Sequence, residues 1–142
     1  MKKINTEFLE RCIKTLEKAY KMLLIVKPDD VELDYDMYRS AVIKEFEVIL
    51  AQSGKMLRKI ITPYFHSKRA VDRLTFKDIF RNAARHDLLS VEEVKRWLEY
   101  RDNRNLTAHD YGFDLAEKTL PLIPYFIIDA NKLVEIIQAH CH

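Results

Sequence analysis

The sequence has 142 residues, of which 48% are apolar and 32% charged, and its formal net charge is +2 at pH 7. This balance excludes a disordered chain, and the length suits one core, so we expect residues 1–142 to form a single helical domain. Only two glycines and four prolines are present, which argues against a many-stranded β fold and favours long helices with few connections.

Two amphipathic helices are predicted in the first half. Between residues 6 and 27, apolar side chains recur every three or four positions on a face of Phe8, Cys12, Leu16, Ala19 and Leu23. Thr6 is placed to cap this helix and Pro28 to end it. A second helix is predicted over 36–61, with a stripe of Val42, Phe46, Ile49, Ser53, Met56 and Ile60. A mid-helix glycine costs about 1 kcal/mol against alanine, so Gly54 indicates close packing with another helix.

A third helix is predicted to follow a basic loop. Pro63 ends the second helix, and residues 63–74 form the loop. Thr75 then begins a helix, and Asp78 lies where the partner in a capping box belongs. The side that faces the core comprises Phe76, Ile79, Phe80 and Ala83, and a short break is expected over 86–89.

The fourth helix is predicted to begin with a second capping box. Ser90 precedes Glu93 by three positions, which is the spacing of a Ser-x-x-Glu box. This helix continues to about Tyr111 before Gly112 ends it. Its apolar side comprises Val91, Val94, Trp97 and Leu98.

The last helix is predicted over 113–139, with a kink or break near Leu120. Pro121 and Pro124 cause this interruption, because proline removes a backbone donor and clashes with the preceding turn. The elements together predict an all-α fold, an up-and-down helical bundle of about five helices.

Lysine and arginine are concentrated in one part of the chain. Residues 55–85 contain nine of them against two acids, a local charge of +7, so the rest of the chain sums to −5. Such asymmetry suits RNA, a nucleotide or an acidic protein, although a solvated helix face beside a basic loop produces the same pattern. Among the interleaved aromatic residues, we expect Tyr64 to be partly exposed and Phe76 and Phe80 to lie in the core.

The sequence indicates neither export nor a metal site. The first residues lack the apolar core of a signal peptide, and no apolar stretch is long enough to span a bilayer. Cys12 and Cys141 show no ligand-type spacing, and the adjacent residues 140–142 cannot easily wrap one ion. We therefore expect a cytoplasmic protein with reduced thiols and without a metal, cofactor or membrane partner.

The segment YRDNRNLTAHDY, residues 100–111, carries the most evident chemistry. At 100° per residue, the side chains of Arg101, Arg104, Asn105, His109 and Tyr111 fall on an arc of about 160°. The Asn105 amide, four positions before His109, can fix the tautomer of the imidazole. An imidazole can move a proton at a ribose oxygen and an arginine can brace a phosphoryl group, without metal. On spacing alone, a polar helix end with a structural histidine is the favoured alternative.

The string Arg104-Asn105-x-x-x-His109-x-Tyr111 resembles the Arg-x4-His-x-Tyr motif of HEPN proteins, the HepT group in particular. The preceding HDLLSVEEVKRWLE also resembles the nucleotidyltransferase substrate-binding branch of that superfamily. The motif alone is a weak pattern, and its position at the end of the fourth helix of an all-α chain makes it much more specific.

The resemblance implies an active site and partners. It implies a homodimer in which the two motifs face each other, and a metal-independent ribonuclease in which Arg104 and His109 are catalytic and Asn105 positions the histidine. Arg101 and Arg104 would contact RNA, with tRNA as one candidate, or a nucleotide. HepT-type members are toxins paired with a separately encoded minimal nucleotidyltransferase, and AMP transfer to the motif tyrosine, here Tyr111, silences them.

Two other functions fit the same residues. The first is a non-catalytic substrate-binding subunit of a two-chain nucleotidyltransferase, whose polar face holds a nucleotide or the partner enzyme. The second is a helical scaffold whose dimer merely buries the motif. This chain has no Gly-Ser followed by paired aspartates, so it is not expected to be the nucleotidyltransferase itself.

Overall fold

The computed structural model describes residues 4–26, 32–109 and 113–140, with the backbone alone at 32, 106–109 and 113–115. In chain order its helices are α1 (Glu7–Ile25), α2 (Glu32–Ile61), α3 (Lys68–Asp72), α4 (Phe76–Arg85), α5 (Val91–His109), α6 (Phe113–Thr119) and α7 (Ile123–Ala139). Within these ranges there is no strand, and the helices of ten residues or more are α1, α2, α4, α5 and α7. The predicted all-α bundle is confirmed.

Side-chain contacts give the directions of the outer helices. The amide of Asn131 in α7 donates to the carboxylate of Glu17 in α1, at 3.1 Å. The amide of Gln138, near the end of α7, donates to the hydroxyl of Thr6, just before α1, at 3.2 Å. These two contacts make α1 and α7 antiparallel. The longest helix, α2, packs against α1, α4 and α7, so it holds the bundle together.

An aromatic cluster occupies the centre of the bundle. Its members come from α2, α4, α5 and α7 and are at most 1% exposed: Phe46, Phe80, Trp97, Tyr100 and Phe126. The ring centroids of Phe46 and Phe126 lie 4.7 Å apart with the rings 65° to each other, an edge-to-face arrangement that aromatic pairs favour. Two of the five rings belong to α5, so this cluster fixes the position of that helix.

Both predicted capping boxes are present. The Thr75 hydroxyl accepts from the backbone N–H of Asp78 at 3.2 Å, and the Asp78 carboxylate accepts from the N–H of Thr75 at 3.2 Å. Ser90 and Glu93 exchange the same two bonds at 3.1 Å each. The hydrogen bond from the backbone N–H of Thr75 lowers the pKa of the Asp78 carboxyl group, because it favours the charged form.

Thr6 is the N-cap residue of α1, as predicted, and its carbonyl oxygen accepts from the backbone N–H of Glu10 at 2.9 Å. The Thr6 hydroxyl donates to the carboxylate of Glu10 at 2.9 Å and makes no capping bond to the backbone. The side-chain oxygen of Asn5 instead accepts from the backbone N–H of Glu7 at 2.8 Å. The side-chain acceptor therefore comes from the residue before the N-cap, because asparagine, like threonine, carries a suitable oxygen.

Two side chains predicted to face the core are exposed. Phe8 is 54% exposed, because the buried face of α1 is rotated toward Leu9 and Ile13, which are at most 1% exposed. Val91 is 62% exposed and is the first residue of α5, ahead of the turn that meets the core.

Residues 63–74, which the sequence predicts as a basic loop, include the short helix α3. Ser67 caps α3 by accepting from the N–H of Ala70 at 3.1 Å, and Val71 is 1% exposed. The Arg58 guanidinium of α2 donates to the carbonyl oxygens of Val71 and Leu74, at 2.5 and 3.0 Å. Arg58, one of the nine lysines and arginines of residues 55–85, therefore attaches this segment to α2.

The two predicted interruptions are confirmed. After α4, the backbone of Asp87 has φ 59°. The N–H of Leu88 donates to the carbonyl oxygen of Ala83, and the N–H of Asp87 donates to the carbonyl oxygen of Ala84. This pair of bonds is a Schellman motif, whose left-handed residue is usually glycine. The 3₁₀ turn Leu120–Leu122 separates α6 from α7, as the prolines predict.

Candidate functional site

The helix that carries the candidate motif, α5, is fastened to α7 by a buried carboxylate. Asp129 is 3% exposed and accepts two bonds from the guanidinium of Arg96, both at 2.8 Å. The Tyr100 hydroxyl donates to the same carboxylate at 2.6 Å. Burial, and then this hydrogen bond, raise the pKa of Tyr100 well above its ordinary value.

Asp129 was missed by reasoning from the sequence alone. It lies on the buried face of α7, together with Phe126, Ala130 and Leu133. A carboxylate on an apolar helix face must find a donor, because an unpaired buried charge is very costly. That position is the sequence signal by which Asp129 could have been found.

One turn further along α5, two side chains contact the start of α4. The Arg101 guanidinium carbon lies 5.1 Å from the ring centroid of Phe76, within cation–π range. The Asp102 carboxylate pairs with the Lys77 ammonium at 2.6 Å. The Phe76 ring also covers Gly54 of α2, where an added Cβ would lie 2.9 Å from Cδ2 of Phe76. Close packing at Gly54 is thereby confirmed.

A second set of contacts joins the same end of α5 to α6, and α6 in turn to α2. The Thr119 hydroxyl of α6 donates to the side-chain oxygen of Asn103 at 2.6 Å. Also on α6, the Glu117 carboxylate accepts from the Tyr35 hydroxyl of α2 at 2.7 and 2.8 Å. Burial and this bond raise the pKa of Tyr35 to about 12. The end of α5 is therefore held between α4 and α6.

The predicted site residues lie on this end of α5. Arg101 and Arg104 are partly buried, and Asn105 is exposed. The helix continues to His109, so the spacing used for the motif holds over these positions. The side chain of His109 and the whole of Tyr111 lie outside the described residues, and the hydrogen bond from Asn105 to His109 stays a prediction.

Within the described ranges, no three His, Cys, Asp or Glu side chains are arranged to hold a metal ion. Among the helices of the same ranges, none has the length and apolar character needed to cross a membrane.

Comparison with known protein families identifies the family of this chain. The model of the family described as "Nucleotidyltransferase substrate binding protein like" matches residues 5–139. The chain belongs to this family. The predicted resemblance to HepT-type and nucleotidyltransferase substrate-binding proteins is confirmed.

A named protein and a solved structure from Haemophilus influenzae are similar to this chain. The chain is 27% identical over 141 residues to a protein named "Probable ribonuclease HepT", with 96% of this chain and 93% of that protein covered. It is similar, with a TM-score of 0.76 and 26% identity, to a solved structure described as the fold of a substrate binding domain of a nucleotidyltransferase. That match covers 94% of this chain and 99% of the other.

A third match supports the fold of the family. A crystal structure from Thermus thermophilus aligns with a TM-score of 0.71 at 22% identity, over 92% of this chain and 98% of the other. The helical bundle is thus shared across nearly the full length of both chains.

Proposed function

We propose that this protein is a metal-independent endoribonuclease of the HepT type, in which Arg104 and His109 act on the RNA backbone. The observation that supports this most strongly is the course of α5. The core and Asp129 hold the helix up to Tyr100, and it continues unbroken to His109. A helix fixed in this way keeps a small set of polar groups in a constant geometry, which catalysis requires.

The reaction is an intramolecular transesterification. His109 removes the proton from a ribose 2′-OH, whose oxygen forms a bond to the adjacent phosphorus. The bond from phosphorus to the 5′-oxygen breaks, and this oxygen leaves with a proton from a second imidazole. Arg104 stabilises the charge on the non-bridging oxygens with paired hydrogen bonds. The products are a 2′,3′-cyclic phosphate and a 5′-hydroxyl.

The need for two imidazoles supports a homodimer. A two-fold axis that pairs the ends of α5 supplies two copies of each motif residue, so that one His109 is the base and the other the acid. The description of the family and that of the solved Haemophilus structure support a nucleotidyltransferase as the partner, which we propose is a separately encoded minimal enzyme. AMP transfer to Tyr111 would then block the site by placing an anion beside the arginines.

A direct test incubates the purified protein with total tRNA in EDTA. Wild type is expected to give fragments that end in 2′,3′-cyclic phosphate, and His109→Ala to give none while staying folded. The matched control is His140→Ala, which removes an exposed histidine at the C-terminal end of α7 and is expected to keep activity. Arg104→Lys keeps the charge but loses the paired bonds, so a drop of about 100-fold or more is expected. Cleavage by His109→Ala at the wild-type rate contradicts the proposal.

A second candidate is a non-catalytic subunit that binds a nucleotide or the partner enzyme. The family description and the solved Haemophilus structure favour it, since both refer to substrate binding. In that case wild type cuts no RNA, and His109→Ala changes only the affinity for the nucleotide or for the nucleotidyltransferase. The cleavage assay therefore separates the two candidates.

A further inference from the structure

The outward face of α4 carries a row of cations. At 100° per residue, Lys77, Arg81 and Arg85 fall within an arc of about 80°, opposite the buried residues Ile79 and Ala83. Successive cations are about 6 Å apart along the helix axis. Arg81 and Arg85 are exposed, and Lys77 is partly buried. This row is referred to below as the α4 cation row.

An aromatic pair lies at the far end of this row. The rings of Tyr64 and His86 are stacked, with centroids 3.9 Å apart and planes 7° from parallel. His86 follows Arg85 directly, and Tyr64 stays 51% exposed. Because the Tyr64 ring is stacked on His86 and remains exposed, it offers a platform on which an unpaired base can stack.

The near end of the row meets the candidate motif. Lys77 pairs with Asp102, and its neighbour Phe76 lies under the guanidinium of Arg101. Arg104 follows on α5, one turn beyond Arg101. The row therefore runs from the aromatic platform to the end of α5, a distance of about 14 Å along α4 from the rise of 1.5 Å per residue.

We propose that Tyr64 and the α4 cation row form a binding track for single-stranded RNA that leads the strand to the motif at the end of α5. This inference rests on the proposed function, which it deepens by naming the form of the substrate. The cations contact phosphates, and the platform takes an unstacked base. A duplex cannot offer such a base, so the track selects single-stranded segments.

Acidic residues near the row offset only part of its charge. The Asp102 carboxylate of α5 pairs with Lys77 at 2.6 Å. Asp78 shares the outward face, but its carboxylate is engaged in the capping box and lies 3.9 Å from Arg81. Residues 68–87 contain six lysines or arginines against three acids, so that together with Asp102 the local charge is +2. The exposed cations of α3 and the turn after it, Lys68, Arg69 and Arg73, extend the positive surface.

The test measures affinity with an RNA that cannot be cut. A fluorescein-labelled, 2′-O-methylated single strand lacks the nucleophilic hydroxyl, so wild-type protein can be titrated by fluorescence anisotropy at several salt concentrations. Arg81→Gln/Arg85→Gln is expected to weaken binding about tenfold or more and to reduce the slope of log affinity against log salt by about 1.4, because each phosphate contact contributes about 0.7. Tyr64→Leu is expected to weaken binding about fivefold or more and to leave the slope unchanged.

The matched control removes two cations elsewhere. Lys14→Gln/Lys18→Gln lies on the exposed surface of α1, and both its affinity and its salt slope are expected to equal those of wild type. Equal losses in the control and the α4 variant, or wild-type affinity in the α4 and Tyr64 variants, overturn the track. Tighter binding of a 2′-O-methylated duplex overturns its single-strand selectivity.

The outcome is separable from that of the proposed function. If wild type cuts tRNA but the α4 and Tyr64 variants bind as wild type does, the track is wrong and the nuclease stands. If wild type cuts nothing but single-strand affinity depends on Arg81, Arg85 and Tyr64, the nuclease is wrong and the RNA-binding surface stands.

Discussion

Asp129 connects two side chains of α5 through three hydrogen bonds to one carboxylate. Its oxygens hold the Arg96 guanidinium at both ends and the Tyr100 hydroxyl, so that one residue of α7 fixes two successive turns of α5. Arg104 is the next turn of the same helix. Any rotation of α5 that misplaces Arg104 must therefore break bonds to a buried charge, and that is costly.

Replacing this carboxylate is expected to destabilise the fold strongly. In Asp129→Ala, the Arg96 guanidinium and the buried Tyr100 hydroxyl lose their acceptor. We expect the free energy of unfolding to fall by about 2–4 kcal/mol, somewhat below the value for a fully buried pair because Arg96 is 40% exposed. Urea denaturation followed by circular dichroism measures the change.

Asp102→Ala is the matched control for Asp129→Ala. It also removes a carboxylate from an ion pair that involves α5, but both partners are substantially exposed, so the loss is expected to be about 0–1 kcal/mol. Similar losses of unfolding free energy in the two variants would show that the burial of Asp129 contributes nothing to stability.

Single residues differ in how well the sequence predicts them. Arg104, Asn105 and His109 could be singled out because their spacing and chemistry form a recognisable pattern within one helix. Asp129 acts through Arg96, 33 positions away, and that pairing is set by how α5 packs on α7. Local periodicity carries no information about such a contact.

At the scale of elements, Gly54 sets the distance between α2 and the start of α4. Gly54→Ala gains about 1 kcal/mol of helix propensity, but its Cβ meets the Phe76 ring at 2.9 Å. The ring is held between Phe80 and Arg101, so the collision costs about 1–3 kcal/mol. We expect Gly54→Ala to lower the thermal midpoint, measured by circular dichroism.

The smaller side chain in Phe76→Leu should change the sign of the effect. In that background the added methyl has room, and Gly54→Ala is expected to be neutral or stabilising. A stabilising Gly54→Ala in the wild-type background would show that Phe76 moves freely and does not hold Arg101 in place.

Elements were predictable where their signals are local. Both capping boxes and the interruption by Pro121 and Pro124 depend on residues within one or two turns, and all are confirmed. The helix α3 has five residues, too few for apolar periodicity, and depends on Arg58 from another helix. Asp87 adopts a left-handed conformation usually taken by glycine, so the sequence predicted the break but not its geometry.

At the scale of the whole molecule, the all-α class followed from the scarcity of glycine and proline and from apolar periodicity. The position of the motif beside the basic residues of α4 did not. It depends on the contact between Phe76 and Arg101, which lie 25 positions apart. The sequence shows that lysine and arginine are concentrated in residues 55–85. Only the packing of α4 on α5 brings the cations of α4 to the motif.

A shared active site is the prediction that belongs to this scale. Arg104→Ala dimers retain two imidazoles, and His109→Ala dimers retain two guanidinium groups, so each variant alone is expected to be inactive on tRNA. A dimer of wild type with His109→Ala keeps one complete motif but only one imidazole, and a dimer of wild type with Arg104→Ala keeps both imidazoles. Because the proposed reaction needs one His109 as the base and the other as the acid, the first mixed dimer is expected to be inactive and the second to keep part of the activity.

The mixing experiment needs proof that mixed dimers form. Differently tagged variants are exchanged, and tandem affinity purification isolates the species with both tags before the cleavage assay. Wild-type chains that carry the two tags, exchanged and purified in the same way, are the control and keep full activity. Cleavage at half the wild-type rate or more by purified dimers of wild type with His109→Ala would contradict a site shared between the subunits, because one complete motif on one chain would then be sufficient.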